Sequence, residues 1–181
     1  MGRIVSSLLG LVLIPVVAFL AGCGGSEEQA QPTPDTRAAN TGEAPTPSKQ
    51  AYIAEGDAIC ADLQPDVAEL QRQAQELQAQ SDELPKAEFL TRAASFWGDQ
   101  IQVMESFRSD FEQLGAPPGD EDRVRQFLGS IDDGIAIARE MKATLEDGRE
   151  VQASKVEEYG QTVIRGNALA QAYGFEVCGS T

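Results

Sequence analysis

Histidine is absent from all 181 residues of the chain. The commonest general base near neutral pH and the commonest metal ligand are therefore missing. Ser-His-Asp and Cys-His catalysis are excluded, as are His-ligated zinc, copper and haem sites and the Glu-x-x-His di-iron bundle. No alternation of apolar and polar residues runs long enough to predict a strand. Cations are scarce, with 14 Lys and Arg against 29 Asp and Glu. So acidic a chain repels phosphate backbones, which argues against nucleic acid as a partner, and it is unsuited to lying flat on anionic lipid. Two further gaps divide the chain. Charge is missing from Ile4 to Leu20, and Val, Ile, Leu, Met, Phe, Tyr and Trp are all missing from Gly24 to Gln50.

The first gap is an apolar run behind Met1-Gly2-Arg3, closed by Leu20-Ala21-Gly22-Cys23. It falls short of the roughly 20 apolar residues of a membrane span and fits a cleaved signal better; an uncleaved N-terminal anchor is the alternative. Two small residues before a cysteine at the end of such a run resemble a bacterial lipoprotein signal. That resemblance implies removal of residues 1–22 and acylation of the Cys23 thiol with diacylglycerol. The protein is then expected on the extracytoplasmic face of the cell membrane, held through its lipid. Without Arg3 the mature chain sets 13 cations against 29 acids, a formal charge of −16.

The second gap contains Pro32, Pro34, Pro45 and Pro47 among Gly, Ser, Thr, Gln and acids. Such a segment buries too little apolar surface to offset its ordering entropy. Residues 23–50 are therefore read as a lipid-anchored disordered linker. As a flexible coil, residues 24–50 span roughly 30 Å root-mean-square.

From residue 51 to 181 the apolar spacing is helical. Ile59, Leu63, Val67, Leu70, Ala74 and Leu77 form a first stripe. Pro65 interrupts it, predicting a kink, or a new helix with Pro65 in its first turn. Leu90, Ala93, Trp97, Ile101, Met104, Phe107 or Arg108, Phe111 and Leu114 form the second; Val124, Phe127, Leu128, Ile131, Ile135, Ala138, Met141 and Leu145 the third; Val156, Tyr159, Val163, Asn167, Ala170 and Tyr173 the fourth. Breaks fall at 81–85, 115–119 and 146–148, and Gly174 is a candidate left-handed C-cap with Phe175 as its apolar contact. The expected fold is all-α, an up-down-up-down four-helix bundle with its first helix kinked at Pro65.

Cys60 and Cys178 remain after Cys23. Outside the cytosol an even pair reads as a disulfide, two free thiols being the alternative. Four antiparallel helices return the last end to the first, so both cysteines fall at one pole. On this reading that pole faces the membrane, and the loops at 81–85 and 146–148 lie farthest out as a contact surface.

No constellation points to an activity. Asp120-Glu121-Asp122 suits a helix start. Asp132-Asp133 and Glu157-Glu158 are neighbours about 100° apart on a helix and make no ready chelate. Met104 and Met141 are conceivable haem ligands, and Phe96 and Trp97 conceivable stacking platforms, but their places on or beside core stripes predict packing. Gly160, Gly166, Ala168, Ala170 and Ala172 thin the fourth helix, allowing close approach or room for an apolar ligand. Tyr52 precedes the first stripe and reads as an exposed contact.

Tyr52-Ile53 with Asp57-Ala58-Ile59-Cys60, paired with Tyr173-Gly174-Phe175-Glu176-Val177-Cys178-Gly179, resembles a group of small secreted or lipid-anchored actinobacterial proteins. The resemblance implies a cell-surface setting and a Cys60–Cys178 bridge, and no activity. No cofactor, metal or enzymatic function is expected. The expected function is an interaction module for another envelope protein. The alternative is binding of a small apolar ligand or a divalent cation between helices.

Overall fold

A computed structural model describes residues 46–178, all helix and connecting turns, with no strand among the described residues. The signal of residues 1–22, the lipid site Cys23 and most of the linker lie outside the described residues. Five helical segments follow in order: α1 (Lys49–Asp62), α2 (Gln64–Ala79), α3 (Lys86–Leu114), α4 (Glu121–Glu146) and α5 (Ala153–Tyr173).

α1 begins two residues ahead of the boundary drawn from apolar spacing. The cause is a cap: the Ser48 hydroxyl accepts a hydrogen bond from the Ala51 amide at 3.2 Å, satisfying one of the helix's orphan donors. Only Leu63 separates α1 from α2. Leu63 keeps right-handed helical angles, and its amide still bonds Ile59 O at 3.1 Å. Pro65 sits in the first turn of α2, where its missing N–H costs least.

α3 and α4 are the long central pair, about 43 and 39 Å at 1.5 Å per residue. α3 packs on α4, α4 on α5, and both α1 and α2 lie on α3. Ion pairs stitch the same faces: Arg108–Asp132 at 2.7 Å and Arg139–Glu105 at 2.5 Å join α3 to α4, and Lys155–Glu140 at 2.9 Å joins α5 to α4. Each is solvent-exposed and contributes mainly to register.

The α4–α5 crossing is close because its residues are small. A Cβ added to Gly166 would lie 3.1 Å from Ser130 Oγ, and one on Gly134 would lie 4.0 Å from Thr162 Cγ2. Gly160, by contrast, faces open space. α2 is the shallowest helix and has no fully buried residue. Its stripe residues Leu70, Ala74 and Leu77 are half-buried against the core beneath α3, because α2 is covered by α3 and the end of α1 alone.

The core has two parts. Trp97, Ile101, Ile135, Ala138, Met141 and Tyr159 centre the first; Tyr52, Phe111, Phe127, Tyr173 and Phe175 centre the second, beside the cysteines. At one end of the domain Lys49 Nζ lies 3.7 Å from Asp120 Oδ2 and the Tyr173 hydroxyl donates to the same oxygen at 3.2 Å. The start of α1, the start of α4 and the end of α5 therefore meet there. At the other end Lys86 pairs with Glu150 at 2.7 Å, bringing together the start of α3 and the α4–α5 connection.

Candidate functional site

The most elaborated chemistry lies where α1 meets the residues that follow α5. α5 stops at Gly174, whose φ of 115° is left-handed. The Phe175 amide reaches back to Ala170 O at 3.1 Å and the Gly174 amide to Gln171 O at 3.1 Å, the paired closure of a Schellman motif. This turn throws residues 175–178 across the domain onto α1.

One turn of α1 receives them. The ring of Phe175 covers Gly56 so closely that a Cβ there would sit 2.4 Å from Phe175 Cε1. The Asp57 carboxylate accepts three consecutive backbone N–H groups, from Glu176 at 3.1 Å, Val177 at 2.8 Å and Cys178 at 3.3 Å. Cys60, one turn on, is disulfide-bonded to Cys178, with Cα atoms 5.3 Å apart. Both half-cystines are buried. The structure thus brings the two sequence-predicted cysteines together. Gly56 and Asp57 carried no periodic apolar signal, and sequence reasoning missed them as part of the clasp.

Tyr52 corrects the expectation of an exposed contact. It is 1% exposed, with its ring edge-on to Phe111 and Tyr173 at centroid separations of 6.2 and 5.6 Å. Tyr52, Gly56 and Cys60 are spaced by four and form the buried ridge of α1. The apolar spacing began at Ile59 because an amphipathic tyrosine followed by a glycine does not register as a stripe. Burial pushes the Tyr52 hydroxyl up to about 12, and burial with the adjoining Asp120 carboxylate raises that of Tyr173 further.

The other singled-out residues divide between core and surface. Met141 is wholly buried and Trp97 packs edge-on against Tyr159 at 5.1 Å. The Tyr159 hydroxyl, which accepts from Gln100, donates to Met104 Sδ at 3.6 Å. Burial raises the Tyr159 hydroxyl to about 12, against the Gln100 hydrogen bond, which lowers it. Asp120 is held by Lys49, Tyr173 and Arg123, and Asp122 pairs with Arg125. Among the described residues no three Cys, Asp or Glu side chains gather as a set able to hold a metal ion. No helix among them is long and apolar enough to cross a membrane.

Two of the grooves on the surface of the described residues lie between helices. One, of about 680 Å³, runs between α4 and α5, with buried Ile137 at its base and Asp133, Glu140, Glu157 and Glu158 among its lining. Lys155 links Glu140 to Glu158 across its end, and these two carboxylates push the Lys155 ammonium up to about 12. The other, of about 580 Å³, lies between the start of α3 and the end of α4, at the end remote from the disulfide. Buried Leu90, Ala94 and Leu145 form its base, with Thr91, Lys142 and Glu146 around it. The exposed apolar side chains Val163 and Ile164 sit on α5, outside both. No protein-family model, curated protein or solved structure matches this chain.

Proposed function

We propose that the protein is a membrane-tethered extracytoplasmic lipoprotein whose helical domain is an interaction module for another envelope protein. In this reading α1 and α2, bent at Pro65, are the first rod of an up-down-up-down four-helix bundle, and α3, α4 and α5 are the other three. The meeting of Lys49, Asp120 and Tyr173 at one end, and of Lys86 and Glu150 at the other, supports that alternation. The lipid on Cys23 leads through the linker to Ser48, so the clasped pole faces the membrane.

The observation that carries the reading is the difference between the two poles. The membrane-proximal pole is closed by the disulfide, the Asp57 contacts and interlocked rings. The distal pole carries an open groove over Leu90, Ala94 and Leu145, beside the predicted contact loops at 81–85 and 146–148. The domain works by contact and not by turnover. Its buried tyrosines hold their protons far above neutral pH, and the carboxylates along the α4–α5 groove face solvent.

Photo-crosslinking in cells tests this. A benzophenone side chain at exposed Thr91, beside the distal groove, should give one recurrent adduct with an envelope protein. The same group at exposed Gln113, near the clasped pole, should not. Equal adducts at both positions, or none at Thr91, would overturn the reading.

A further inference from the structure

The tail and α1 match turn for turn. Gly56 lies under Phe175, Asp57 holds the amides of residues 176–178, and Cys60 bonds Cys178. Asp57 and Cys60 are three residues apart and so share a helix face. Three successive N–H groups converging on one carboxylate make an anion-holding nest, and hydrogen bonds to an ionised acceptor are about twice as strong as neutral ones. The Asp57 contacts are made to backbone N–H groups and not to sulfur. Pairing two thiols 118 residues apart is otherwise an improbable loop closure.

We propose that Asp57 is the positioning residue for disulfide formation: its carboxylate captures the backbone of residues 176–178 first, and so delivers Cys178 to Cys60. The oxidant is a disulfide, such as oxidised glutathione or a thiol oxidoreductase. The Cys178 thiolate attacks one sulfur of the oxidant, forming a mixed disulfide and expelling one thiolate. The Cys60 thiolate then attacks Cys178 Sγ, forming the internal bond and expelling the second thiolate. Two protons and two electrons leave the protein thiols, and the oxidant becomes two thiols. Docking by Asp57 turns the second attack into a local, pre-aligned step. The inference is independent of any partner.

The test uses the full chain in detergent micelles, carrying C23S so that only the two relevant thiols react. Reduced protein is mixed with oxidised glutathione, quenched with acid at intervals and read by mass spectrometry for conversion of mixed disulfide to closed bond. D57A should slow that conversion about tenfold or more, the equivalent of at least one charge-assisted hydrogen bond. D57N, which keeps one acceptor oxygen, should fall between D57A and the parent. E55A, at an exposed position on the same helix, should close at the parental rate. Closure of D57A at the parental rate, or equal slowing by E55A, overturns the proposal. A second measurement separates docking from general folding. In C60S, where the bond cannot form, amides 176–178 should remain protected from hydrogen exchange, and adding D57A should speed their exchange about tenfold or more. Unprotected amides in C60S with Asp57 intact would show that docking follows the bond, and would refute the idea.

Discussion

Replacing Gly56 by alanine sets two known effects against each other, and the structure decides between them. Gly56 is in the interior of α1, where alanine is favoured by about 1 kcal/mol on helix propensity alone. The added methyl, however, would stand 2.4 Å from Phe175 Cε1 and 2.9 Å from Phe111 Cε1. Neither ring is free to give. Phe111 is wholly buried and meets Phe127 and Phe175 at centroid separations of 5.1 and 5.5 Å. Phe175 is anchored on one side by the Gly174 turn and on the other by Asp57 and the disulfide. Overpacking of this kind costs about 1–3 kcal/mol, and the anchored rings put this site at the upper end. The net effect is a destabilisation of about 1–2 kcal/mol. In a domain of this size that lowers Tm by about 4–8 °C. Circular dichroism melts of the oxidised protein measure it. Gly160→Ala is the matched control: its methyl meets nothing within 4 Å, so it should raise stability by up to about 1 kcal/mol through propensity. A Gly56→Ala protein at least as stable as the parent would refute the ring-over-glycine packing.

Three further outcomes are expected. Replacing Cys60 and Cys178 together by serine should lower stability to urea by up to about 4–5 kcal/mol, the chain-entropy value for a loop of this length; an unchanged midpoint would show that the clasp holds without its covalent member. Tyr52 and Tyr159 have hydroxyls raised to about 12 from 10, so their contribution is whole below pH 10 and is lost as pH rises from 10 through 12; phenolate absorbance should appear together with loss of helix, and tyrosines that ionise near pH 10 with the helix intact would contradict the burial. Metabolic labelling with an alkyne fatty acid should mark the parent protein and not Cys23→Ala, and equal labelling of both would remove the lipid anchor from the reading.

Much of the helical layout was legible in the sequence because amphipathic periodicity is a local property. Four stripes and three Gly- or Pro-marked breaks anticipated the helical segments to within a few residues. Gly174 with Phe175 was readable as a helix end for the same reason: a left-handed turn leaves its own local mark. What escaped was whatever depends on a partner distant in the chain. Tyr52 looked exposed because it precedes the first apolar stripe, yet its neighbours in space are Phe111, Tyr173 and Phe175.

Side-chain period, backbone-breaking residues and simple counting were enough to give an all-helical domain over the described residues, the places where its helices break, and two cysteines left to pair. Only the tertiary structure decided that α2 stays half-buried while α1 buries Tyr52, Gly56 and Cys60, and that Gly56 and Asp57 form a receptor for residues 175–178. Asp57 meets its acceptor-seeking amides 119 to 121 residues away. A glycine and an aspartate on a helix carry no sign of such a role, because the feature that selects them is the shape and the backbone N–H groups of a segment that arrives only when the domain has folded.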